Sequence, residues 1–225
     1  MKNRASKPTI KEAKNKAEAV LQTILAIAGD PRLKGIQMET IWKLVETCII
    51  PIITYGSETW EATKKENNSA NQILDNILKR ILKLPTTTSR EALYIETGIL
   101  DIEHTRQKLR IGMLQRIETT KSNLIDKILQ NPNQKSWAMK TKQLMNDINY
   151  KDPINPRNNK LTKSTVKKNV KQTINKIFHD KVNESSKEKS KTQHLLDGIV
   201  SWSPGRRPAY MNILNRDQVS IIFKA

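Results

Sequence analysis

The chain has 225 residues, a formal net charge of +18 and 36% hydrophobic side chains, which suits one or two helical domains with a modest core rather than a sheet protein. A pI near 10.0 and a mean hydropathy of −0.62 repel like molecules and draw polyanions, so nucleic acid heads the partner classes and an acidic membrane surface comes second. The single cysteine, Cys48, excludes an internal disulfide and a cysteine-rich zinc site; the N-terminus lacks the apolar region of a secretory signal, and the longest apolar run, Cys48 to Ile53, is too short to span a membrane. The expected location is intracellular, in nucleus or cytoplasm, neither secreted nor membrane-spanning.

The first expected helix covers residues 8–28, where Ile10, Ala13, Ala17, Val20, Leu21, Ile24, Leu25 and Ala28 recur at three and four residues and Gly29, Asp30 and Pro31 stop it. The second covers 37–57. Pro51 should bend or divide it, and the apolar residues around 49–53 read as buried on most sides. Thr63 and Glu66 have capping-box spacing and open a third helix in which Ile73/Leu74, Ile77/Leu78 and Ile81/Leu82 repeat until Pro85. Thr88 with Glu91 has the same spacing and opens a short helix closed by Gly98.

A fifth helix covers 102–117, with Leu109, Met113, Leu114 and Ile117 on one side and Arg106, Lys108, Arg110 and Arg116 elsewhere. Weaker helical stretches follow at 123–130 and 134–148. Residues 150–160, rich in proline and asparagine, read as a linker. Between Lys151 and Lys191 there are twelve Lys/Arg against four Asp/Glu, and Val166, Val170, Ile174 and Ile177 make a narrow stripe, so a basic helix is expected over 162–183, with a flexible polar segment to 193. In the tail, Asn215 with Gln218 is a further capping-box pair.

Much chemistry is missing. Two-metal nucleotidyl transfer needs two or three aspartates at one point; the nine aspartates here are scattered, with no Asp-Asp pair. His104, His179 and His194 have no ligand partner at metal-binding spacing, Cys48 sits on an apolar helix as a small core residue, and no glycine-rich phosphate loop occurs. No catalytic residue, metal site or cofactor is expected of this chain.

The basic surface remains. Lys163, Lys167 and Lys171 fall at four-residue spacing with Lys160, Lys168 and Lys176 alongside, a row suited to successive phosphates, although such rows also occur as plain solvated faces. Arg206 and Arg207 lie in a proline-bracketed turn near Trp202 and Tyr210, which suits phosphate contact with base stacking and equally suits ordinary packing. Tyr55, Trp60 and Tyr94 read as core anchors before stacking platforms. Pro51, Tyr55, Gly56, Trp60, Pro85 and Gly98 are assigned structural roles.

Three stretches carry a resemblance: IIPIITYGSETW (Ile49–Trp60), LKRILKLPTTTSREALYIETGILDIEHTRQKLRIGMLQRI (Leu78–Ile117) and WSPGRRPAYMNILNRDQVSIIFKA (Trp202–Ala225). Together they resemble the region after the palm, the thumb and C-terminal linker, in reverse transcriptases of LINE-type (non-LTR) retrotransposons. The resemblance implies an RNA-directed DNA polymerase using Mg2+ as the intact parent. It also implies that this chain is a truncated piece without fingers, palm, endonuclease or zinc knuckle. The expected architecture is all-α: a thumb-like helical bundle over 8–117, additional helices over 118–149, a linker over 150–160, a looser basic helix and flexible segment over 161–193, and a truncated C-terminal segment over 194–225. The expected function is backbone-driven, sequence-nonspecific contact with DNA or RNA by a non-catalytic fragment. The alternatives are a protein-interaction module docking through its palm-facing apolar surface, for which the remainder of a reverse transcriptase is one partner, and a remnant without function.

Overall fold

The computed structural model describes residues 6–29, 36–59, 61–118, 136–150, 163–187, 203–204, 207–209, 213–216 and 218–219. Among them the fold is all-α, with no strand beyond an isolated antiparallel bridge between Gln37 and Asn215. Helix α1 (Ser6–Ala28) buries Ala17, Leu21 and Ile24 and half-buries Ile10, Val20, Leu25 and Ala28, the stripe its spacing predicts.

Helix α2 (Met38–Leu44) continues through one π-helical turn (Val45–Ile49) into α3 (Ile50–Ile53). Pro51 explains the widened turn. A proline offers no N–H and its ring crowds the carbonyl four residues back. Widening the ladder lets the Ile50 N–H reach the Val45 carbonyl, and the chain carries on as a helix without a break. The expected burial on most sides near Pro51 holds only in part. Val45, Ile49 and Ile53 face the core, Cys48, Ile50 and Ile52 are half-buried and Pro51 is exposed. The row of Val45, Ile49 and Ile53 is buried, and Ile50 and Ile52 pack against the same core from its edges.

Helix α4 (Lys64–Leu82) starts at the expected capping box. Glu66 N–H donates to Thr63 Oγ1 at 3.3 Å, and Thr63 N–H donates to Glu66 Oε2 at 2.8 Å. Its Ile–Leu pairs are all buried. Helix α5 (Arg90–Thr97) is capped by Ser89, not Thr88. Thr88 N–H closes a turn onto the Pro85 carbonyl at 3.1 Å, which leaves Ser89 Oγ to accept from Ala92 N–H at 3.2 Å. Gly98 ends α5 at φ 63, a left-handed conformation that suits glycine.

Helix α6 (Ile102–Glu118) departs most from its sequence reading. It lies among α4, α7 (Trp137–Asp147) and α8 (Lys163–Lys187). Its buried residues include His104, Arg106, Arg110 and Gln115 beside Ile111 and Leu114, whereas Leu109, Met113 and Ile117 are only half-buried. Three neighbouring helices cover more of α6 than one apolar stripe could. Two cores result. One joins α1 to α5 and takes Phe178 and Val182 from α8 and Val219 from the tail; the other joins Ile111 and Leu114 to Ala138, Met145, Tyr150, Val170 and Ile174. The basic helix is therefore no loose appendage. It belongs to both cores, and its buried row runs Val170, Ile174, Phe178 and Val182 rather than through Ile177, which is half-buried.

The described tail residues strap the bundle. Met38 N–H donates to the Leu214 carbonyl at 3.0 Å, Asn175 Nδ2 donates to the Pro204 carbonyl at 3.0 Å, and Asn215 and Gln218 cap each other reciprocally at 3.0 Å as their spacing predicts. No described helix is long and apolar enough to cross a membrane. Trp60, the 123–130 stretch and the linker beyond Tyr150 lie outside the described residues.

Candidate nucleic-acid interface

The inward row on α8 decides where its lysines go. With Val170, Ile174 and Phe178 buried, Lys167, Lys168, Lys171 and Lys176 are exposed. Successive helix positions turn by roughly 100°, so residues adjacent to the buried row share its edges and those between it point to water. The side chain of Lys163, and Lys160 and Arg206 as a whole, lie outside the described residues.

A fifth cation joins this face, one that the sequence pattern had left among the charges of α6. Lys108 is half-buried and close enough to Lys167 and Lys171 to be repelled by both. Burial pushes its ammonium down from the ordinary lysine value, Lys171 and Lys167 push it further, and Glu46 pulls the other way. Lys108, Lys167 and Lys171 thus form a patch of like charge across two packed helices. A polyanion relieves that repulsion, releasing counterions as it binds. The signal in the sequence was present but invisible without pairing: Lys108 meets the α8 lysines only because the two helices pack side by side.

Arg207 does not belong to this surface. Its Nε donates to the Thr97 carbonyl at 3.1 Å, its Nη2 pairs with Glu46, and its side chain is 14% exposed. It ties the tail to the end of α5 and to the π-helical turn, which favours packing of the two roles that its sequence context leaves open. Tyr94 is buried, as a core anchor should be, but Tyr55 is 83% exposed. Gly56, at φ 66, turns the chain so that Thr54 and Ser57 face inward and Tyr55 is left outside.

The histidine reading also changes. His104 has a carboxylate neighbour: Asp101 Oδ1 lies 2.6 Å from His104 Nδ1 and accepts from the His104 backbone N–H at 2.8 Å. With Glu103 these residues place three ligand-type atoms together. The arrangement does not fit the Mg2+ centre of a polymerase. Asp101 Oδ1 is spent on His104, and the Lys181 ammonium stands 3.6 Å from Asp101 Oδ2 and 3.3 Å from Glu103 Oε2, where it already supplies the positive charge. The cluster caps the start of α6 and tethers α8 to it.

No protein-family model matches the chain, and no curated protein or solved structure matches it.

Proposed function

We propose that this chain is a nucleic-acid-contacting helical module, the non-catalytic thumb side of a LINE-type reverse transcriptase. The observation that carries the reading is the set of exposed lysines on α8, Lys167, Lys168, Lys171 and Lys176, with half-buried Lys108 of α6 near Lys167 and Lys171. The net charge of +18 and the Ile49–Trp60, Leu78–Ile117 and Trp202–Ala225 motifs support it. Lysines neutralise phosphates but read bases poorly, so binding is backbone-driven and indifferent to sequence. RNA-directed DNA polymerisation belongs to the intact parent in this reading and is assigned to none of the residues here.

Salt titration of labelled duplex and single strands tests it. The affinity should fall steeply with salt, and replacing Lys108, Lys167 and Lys171 together by glutamine should flatten the logarithmic slope by about 0.7–0.9 per lost contact. An unchanged slope would move the interface off this face. Protein docking is the second reading, favoured by the exposed Tyr55 next to the exposed Pro51 turn; strictly monomeric sizing at rising concentration, with polyanion binding intact, counts against self-association through it.

A further inference from the structure

Helices α6 and α8 run antiparallel. Glu103, near the start of α6, meets Lys181 at 3.3 Å, the rings of His104 and Phe178 lie 5.1 Å apart, and farther along Ile111 shares a buried cluster with Val170 and Ile174. This register brings Lys108, one turn before Ile111, to the stretch of α8 around Val170, where Lys167 and Lys171 stand. Those two are exposed and one turn apart, a rise of about 6 Å, whereas Lys108 is half-buried at the seam of the two helices.

No hydrogen bond or ion pair holds the Lys108 ammonium among the described residues. Glu46, the carboxylate that acts on it, is bonded to Arg207. On α6 itself the neighbours one turn away are His104, whose ring faces Asp101 and Phe178, and the uncharged Thr105, Ile111 and Gly112. Burial first, then the Lys171 and Lys167 charges, hold the Lys108 amine below the ordinary lysine value, against the pull of Glu46. A lysine desolvated beside other cations is a nucleophile toward carbonyl carbon.

We propose that Lys108 captures abasic sites in nucleic acid held on the α8 lysines, forming an imine with the aldehyde that such a sugar exposes at C1′. The inference rests on the nucleic-acid reading of this face. Lys167 and Lys171 take phosphates of the strand, and the sugar between successive phosphates then lies beside Lys108. An intact sugar offers no carbonyl, whereas a sugar that has lost its base opens to an aldehyde. The amine nitrogen adds to C1′, the carbonyl oxygen leaves as water with both amine protons, and a C1′–N double bond remains. No oxidant or reductant is consumed. Phosphates on Lys167 and Lys171 cancel their repulsion of Lys108, but its burial, the larger cause, stays.

The full chain is mixed with one duplex in three forms: intact, carrying a single abasic sugar, and carrying that sugar reduced at C1′ so that no aldehyde exists. Cyanoborohydride converts an imine to a permanent amine, which mass spectrometry of the digest locates. The adduct should form with the abasic duplex alone, map to Lys108 ahead of the exposed lysines, and disappear with added salt in step with binding. Counted per bound complex, Lys108→Arg should lose about tenfold of the adduct or more, since a guanidinium does not replace the amine as nucleophile. Mapping in the unaltered chain keeps the test valid where the substitution disturbs folding. Salt-sensitive binding of the intact duplex with no adduct, or an adduct spread over Lys167, Lys168, Lys171 and Lys176 according to exposure, overturns this inference and leaves the nucleic-acid reading standing. Absence of binding to all three duplexes overturns both.

Discussion

The guanidinium of Arg216 donates to the carbonyl oxygens of Ile81 and Arg80 at 2.7 and 2.8 Å, so a residue of the tail closes the C-terminal end of a helix 135 positions earlier. The last carbonyls of a helix have no partners within it and carry the negative end of its dipole, which makes a cation there doubly favourable. Replacing Arg216 by alanine should cost about 1.5–3 kcal/mol, the range for hydrogen bonds made by charged groups. Urea unfolding measures this, and a loss below about 0.5 kcal/mol would show that the strap is not fastened at this point.

Phe178 provides a second test of integration. Its ring meets Tyr94 edge-on at 5.3 Å and His104 at 5.1 Å between centroids, and it is 1% exposed. Phe178→Ala should destabilise the whole fold by about 3–5 kcal/mol. Unfolding should remain one transition seen alike by probes near α4 and α8. A loss confined to the α8 signal would restore the picture of a separate basic region.

Asp101 predicts an acid limb. Burial alone would raise its carboxyl, yet the hydrogen bond and charge of His104, the His104 backbone N–H and the Lys181 ammonium hold it below the ordinary aspartate value. Such a carboxyl binds fewer protons folded than unfolded. It therefore stabilises above about pH 4 and loses that contribution as pH falls through its lower folded value. Asp101→Asn should lose about 1–3 kcal/mol at pH 7 and show a shallower decline below pH 4. Equal slopes for both proteins in acid would reject the assignment.

One position can be improved. Gly112 lies within α6, and a Cβ built there meets nothing within 4 Å. Gly112→Ala should raise stability by about 0.5–1 kcal/mol by limiting the freedom of the unfolded chain. A higher midpoint in thermal unfolding checks it, and a lower one would mean that α6 needs closer approach at this point than the fold shows.

The parts legible in the sequence are those that neighbours in the chain decide. The capping pairs Thr63–Glu66 and Asn215–Gln218, the stop at Gly98, the α1 stripe and the Ile–Leu ladder of α4 follow from spacing alone, because each depends on backbone geometry within a turn or two. The exposed lysines of α8 were readable to the same degree, once Val170 and Ile174 had set its inward side.

Residues whose surroundings come from elsewhere in the chain were not readable. Arg106 and Arg110 look like solvent-facing charges on a helix, and only enclosure of α6 by three partners buries them. Arg207 suits phosphate contact and packing equally until its bonds to Glu46 and Thr97 are seen, and Tyr55 looks like a core anchor until the turn at Gly56 sends Ser57 inward instead. The amino-acid sequence by itself determined an all-α, strongly basic chain and several helix ends, such as the Thr63 start and the Gly98 stop, since charge and local hydrogen bonding need no distant partner. Tertiary packing alone decided which cations face water and which are enclosed, because burial depends on which helices meet, and that is settled by contacts far apart in the chain.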